Sequence, residues 1–179
     1  MKKSIMILLL LFAVLFTVLI SLLSAEEVSR PVKSSSQTCF SPDGGCIDVL
    51  VKEISKARLE IFVMAYSFRS PVVAQALIAA HQRGVKVEVI LDKSERQEGY
   101  TPAVMIANAG IPVYLDGTHA AMNNRVIMID KTTLTTGSFS LTSASEDMNA
   151  ENLLILRSVE LSKLYRENWL MHKKHSEKY

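Results

Sequence analysis

The sequence lacks a surplus of charge of either sign. Its 20 Lys and Arg stand against 18 Asp and Glu, and two of the lysines, Lys2 and Lys3, precede an N-terminal apolar run. Beyond that run the chain carries 18 basic and 18 acidic residues, without the strong basic excess of many nucleic-acid binders. Cysteine is nearly absent as well: only Cys39 and Cys46 occur, and with no histidine or third cysteine close by they argue against a zinc finger there. There is no internal repeat, and no amphipathic basic helix of the kind that lies on a bilayer surface.

The longest apolar stretch runs from Ile5 to Leu23, broken only by Thr17 and Ser21 and followed by Ser24-Ala25-Glu26-Glu27. A basic start and a long apolar run mark residues 1–25 as an export segment. Its length, near the roughly 20 residues that span a bilayer, leaves two readings open, a cleaved signal peptide or a retained anchor tethering the chain through residues 5–23. Either places the remainder outside the cytoplasm, periplasmic, secreted or held on the outer side of the inner membrane. Residues 26–37, with Pro31 and three serines in a row, are read as a linker, and 38–179 as one domain. In CFSPDGGC, Pro42, Gly44 and Gly45 let the chain turn back, so an exported protein is expected to form a Cys39–Cys46 disulfide; two buried thiols are the alternative.

Apolar spacing predicts a helix over 47–56, a buried strand from Arg58 (RLEIFVMAYSF), and a helix opened by Ser70-Pro71 and stopped at Gly84. A strand from Val85 (VKVEVIL), a charged loop over 92–99, a short helix over 101–108 and the strand IPVYL follow. RVIMI and TLTTG are strands parted by a turn at Asp130-Lys131; AENLLILR is another, and an amphipathic helix over 159–175 closes the chain. Strands alternating with helices, then strands closely spaced, imply an α/β fold: a layered α/β/α sandwich around a mixed central sheet.

One stretch concentrates chemistry. Residues two apart on a strand share a face, so Asn123 and Arg125 project together. Asp130 follows at the turn, Gly137-Ser138 and Ser140 return on the adjacent strand, and Glu151 and Asn152 begin the next. The stretch resembles the H-x-K-x4-D-x6-G-S-x-N motif of the phospholipase D superfamily, above all its small single-motif bacterial endonucleases. The resemblance extends over residues 38–175, through CFSPDGGC, IFVMAYSF, NAGIPVYLD, AENLLIL and the helix bearing Trp169.

What the resemblance implies is a phosphodiesterase needing neither metal nor cofactor. In that family the motif histidine attacks phosphorus to form a phosphohistidine, a second histidine protonates the leaving oxygen, and lysines and asparagines steady the phosphoryl charge. A chain with one motif takes the second set from a partner, so a homodimer with its site on the two-fold axis is expected, with DNA or RNA as ligand. Asp130, Gly137, Ser138 and Glu151 match the pattern, whereas Asn123 stands at the histidine, Arg125 at the lysine and Ser140 at the asparagine. Arg125 keeps the charge and, with Ser138 and Ser140, is expected to hold phosphate. Asn123 can hydrogen-bond but cannot become a phosphoryl carrier. The degenerate catalytic positions Asn123, Arg125 and Asp130, with Glu151 behind them, therefore imply hydrolysis impaired or lost. A non-catalytic phosphodiester-binding module and a lipid-directed phospholipase D are the alternatives.

His119 lies on the same side as Asn123 in an extended chain but about 13 Å away, and is read as a loop histidine. His172 and His175, among Lys173, Lys174 and Lys178, are read as a solvated, mildly basic helix end. Trp169 is assigned to packing.

Overall fold

A computed structural model describes residues 35–96 and 101–179. The expected export segment and most of the linker lie outside the described residues, as does the end of the 92–99 loop. Eight strands form one sheet: β1 (Ser35–Ser41), β2 (Glu60–Ala65), β3 (Lys86–Asp92), β4 (Val113–Asp116), β5 (Arg125–Ile129), β6 (Thr133–Gly137), β7 (Glu151–Arg157) and β8 (Glu177–Lys178). Five helices join them: α1 (Cys46–Lys56), α2 (Pro71–Gln82), α3 (Pro102–Asn108), α4 (Ser143–Asp147) and α5 (Val159–His175). The strand order is β1-β7-β6-β5-β2-β3-β4-β8, with β2, β3 and β4 parallel and every other pair antiparallel. The expected α/β/α sandwich with a mixed sheet is the architecture observed.

Its origin is visible in local sequence. β2 and β3 are covered on both faces, which is why EIFVMA and KVEVILD read as nearly unbroken apolar runs. α2 starts where the Ser70 hydroxyl accepts from the Val73 N–H and Pro71 supplies the first helical residue; it ends before Gly84, at φ 89°. On one face of the sheet Leu50 and Ile54 of α1, Leu77 of α2 and Ile106 of α3 pack on Val63, Val89 and Ile127. On the other, Trp169 of α5 packs with Phe62, Met64, Ile90, Val126 and Met128. The Trp169 indole stands 4.6 Å from the Phe62 ring and donates to the Val63 carbonyl at 3.0 Å, so it belongs to the core.

Three elements depart from the sequence reading. β1 begins at Ser35, so the last three residues of the expected linker form an edge strand along β7. SASED forms the short helix α4, and the final residues add β8 to the edge of β4. Cys39 of β1 and Cys46 at the start of α1 are disulfide-bonded, Cα–Cα 5.6 Å. Among the described residues no helix is long and apolar enough to cross a membrane.

Candidate functional site

β5 pairs antiparallel with β2, Arg125 opposite Ala65, and the Tyr66 N–H extends the ladder one step by donating to the Asn124 carbonyl at 2.9 Å. The segment before β5 is thereby held extended at the carboxyl end of β2 and β3. Met122 is buried on the α5 face and its N–H donates to Asp92 Oδ2 at 2.8 Å, so Asn123 is turned outward and exposed. Arg125 lies on the same side. Its Nη1 donates to Asn123 Oδ1 at 2.8 Å and its Nε to Ser140 Oγ at 2.8 Å. The three positions where the motif is degenerate thus form one hydrogen-bonded unit. Among the described residues the Nη2 group of Arg125 takes no part in it.

Ser138 joins this end of the sheet from β6. Its hydroxyl accepts from the Asn152 N–H at 3.1 Å and from Asn152 Nδ2 at 3.3 Å, leaving its own proton to donate. The approach requires glycine beforehand: Gly137 has φ 151°, and a Cβ there would lie 2.2 Å from the Asn152 carbonyl oxygen. Asn152 is thus a site residue that sequence reading placed nearby without giving it a role. Glu151 lies beside it, half-buried, and accepts from Asn149 Nδ2 at 3.2 Å.

Asp130 does not join them. It follows β5 at the end opposite Arg125, about 16 Å along the strand at 3.3 Å per residue. There its carboxylate accepts from three consecutive backbone N–H groups, Arg58 at 2.8 Å, Leu59 at 2.7 Å and Glu60 at 3.1 Å. Asp130, expected among the degenerate catalytic positions with Asn123 and Arg125, therefore stands apart from them. A five-residue strand separates them, and the aspartate's work is to fix the start of β2 against the β5–β6 turn, where Asp130 and Lys131 both have positive φ.

His119 is also committed elsewhere. Its Nδ1 lies 2.9 Å from Asp116 Oδ2, and His172 Nδ1 and His175 Nε2 reach the same oxygen at 2.8 and 3.2 Å. The expected solvated helix end is corrected by this contact. Burial raises the Asp116 pKa, but the close approach of His172, His119 and His175 and the Thr118 N–H outweigh it and hold the carboxyl well below the usual carboxylate range. Among the described residues, no imidazole hydrogen-bonds to Asn123, Arg125, Ser138 or Ser140.

Comparison with known proteins assigns the chain that carries this cluster to a family. Residues 50–172 match the family described as "Cardiolipin synthase, PLD-like domain". The chain belongs to this phospholipase D-like family. It is 37% identical over 147 residues to a phospholipase D of Rickettsia conorii, covering 82% of this chain and 74% of that one. It is 30% identical over 132 residues to the mitochondrial cardiolipin hydrolase of Homo sapiens, covering 73% of this chain and 52% of that one. Among solved structures, the phospholipase D family member Nuc from Salmonella typhimurium superposes with TM-score 0.77 at 32% identity, over 82% of this chain and 99% of Nuc. NucT from Helicobacter pylori, at 19% identity and TM-score 0.76, shares the fold.

Proposed function

We propose that this chain binds a nucleic-acid phosphodiester at a homodimeric site and hydrolyses it slowly or not at all. The observation that carries the reading is the bond from Arg125 Nη1 to Asn123 Oδ1. At the position where catalysis needs an imidazole, a carboxamide serves as a hydrogen-bond acceptor for the neighbouring guanidinium. Arg125 Nη2 and the Ser138 hydroxyl are left to hold a phosphoryl oxygen, and two copies across a two-fold axis would offer two guanidinium groups to one monoanion. Exposed Phe40, Tyr66 and Met148 lie at the same end of the sheet and supply apolar surface for such an interface. The Cys39–Cys46 disulfide supports an exported location, with residues 5–23 as signal or tether.

The test compares four chains on single-stranded DNA and on a chromogenic phosphodiester. The natural chain is expected to bind DNA weakly, in a salt-dependent manner, and to leave both substrates uncut. Arg125→Ala abolishes binding, and Asn123→His with Arg125→Lys raises turnover at least a hundredfold, since loss of a nucleophile costs up to about 10⁶ in rate. Rapid turnover by the natural chain that survives Asn123→Ala would refute the reading. A lipid phosphodiester is the second reading, favoured by the names of the Rickettsia and mitochondrial relatives and by the apolar rim. Cardiolipin vesicles as competitor for DNA separate the two.

A further inference from the structure

The histidine and aspartate side chains around Asp116 are not part of the motif site, and their arrangement is unusual as hydrogen bonding. Three imidazole nitrogens converge on one carboxylate oxygen, while Oδ1 receives, among the described residues, only the Thr118 N–H at 3.1 Å. A carboxylate oxygen offers about two lone-pair directions, so three N–H donors on Oδ2 exceed its capacity. The same nitrogens acting through their lone pairs face no such limit if a cation lies between them and the oxygen.

The dimensions fit a tetrahedral ion. Zinc–nitrogen bonds of about 2.05 Å separate neighbouring ligand atoms by about 3.3 Å, and with about 1.1 Å more to each ring centre the rings stand about 5.2 Å apart. The observed ring separations are 5.0, 5.2 and 5.4 Å, nearly equilateral, and the nitrogens lie 2.8 to 3.2 Å from the oxygen. All four ligand atoms lie within 4.8 Å of one another. The chain has four histidines, and three of them are in this cluster.

We propose that Asp116, His119, His172 and His175 bind one divalent zinc-type cation as a closed structural site. Four protein ligands leave no open position for substrate or water, which separates this site from catalytic zinc centres with three. Its role follows from what the ligands carry. Asp116 ends β4, His119 sits in the loop leading to Asn123, and His172 and His175 are one turn apart at the end of α5, just before β8 returns to β4. The ion would clamp the last helix and strand to the sheet edge, independently of whether the motif site cleaves anything.

The untagged full-length chain, stripped with EDTA and dialysed, is titrated with Zn²⁺ by calorimetry and with Co²⁺ by visible spectroscopy. One ion per chain at submicromolar affinity is expected, with the intense d–d bands of tetrahedral Co²⁺. Saturating Zn²⁺ should raise the melting temperature by roughly 5–10 °C at a hundredfold excess over Kd. His172→Gln with His175→Gln, at half-exposed positions where folding can be verified by circular dichroism, should weaken binding more than a hundredfold, and His81→Gln should leave it unchanged. Absence of binding to the natural chain, a weak octahedral Co²⁺ spectrum, or undiminished affinity in the folded double variant would each overturn the assignment.

Discussion

Asn123, Arg125 and Asp130 stand at three motif positions and do three different things. Asn123 accepts from Arg125, Arg125 is anchored by Ser140, and Asp130 caps backbone N–H groups at the far end of the strand. The juxtaposition behind the first two roles, Asn123 and Arg125 projecting together, was legible in the sequence because residues two apart on a strand share a face whatever the tertiary context. The third was not, since sequence spacing does not say which sheet end a turn occupies. The distinction has a measurable consequence. Asp130→Ala leaves three backbone donors without their charged acceptor and is expected to cost about 2–3 kcal/mol of stability, a value discounted for partial exposure. Urea unfolding gives that cost, while DNA affinity of the folded variant should be unchanged. A loss of affinity with full stability would instead place Asp130 in the binding site.

At the scale of elements, long periodic segments were readable and short edge elements were not. The helices Cys46–Lys56 and Pro71–Gln82 bury one face, which imprints a period on the sequence, while β2 and β3, buried on both faces, show as unbroken apolar runs. β1 is an edge strand whose first four residues are all exposed, and its SSQ start has the composition of a linker; β8 has two residues and no pattern to read. What holds β1 is partly covalent. The disulfide ties it to the first residue of α1, and Gly44 between them is forced, because a Cβ there would lie 1.7 Å from the Phe40 carbonyl oxygen. Closing so short a loop removes entropy from the unfolded chain worth about 2–3 kcal/mol. Cys39→Ala with Cys46→Ala should lower the unfolding free energy by that amount, and reductant should do the same to the natural chain. A melting temperature indifferent to both would mean that pairing with β7 alone suffices for β1.

For the molecule as a whole, the balance of 18 acids and 18 bases outside the N-terminal segment conceals how the acids are used. Several are buried in the two layers that sandwich the sheet. Glu53 of α1 is held by Lys56 and Arg157, joining α1 to β7, and Glu88 of β3 is held by Lys173 and Lys86, joining α5 to the sheet. Asp92 accepts from Ser94 and Met122 N–H groups and thereby fixes the loop that presents Asn123. Burial raises the pKa of all three, but their hydrogen-bonding and charged partners outweigh it. For Glu53 these are Lys56 and Arg157, for Glu88 Lys173 and Lys86, and for Asp92 the Ser94 and Met122 contacts, so each pKa lies below its ordinary value of 4.5 or 3.8. A carboxyl depressed in the folded state contributes stability above its unfolded pKa and loses it as pH falls through the folded value. The urea midpoint should therefore drop between pH 5 and pH 3, with the layers loosening together because the three groups link α1, α5 and the site loop to one sheet. Glu88→Gln should be less stable at pH 7 and lose less on acidification, since it has one fewer proton to take up on unfolding the ion pair. An equal acid slope in that variant would show that the Lys173 contact adds nothing to the native state.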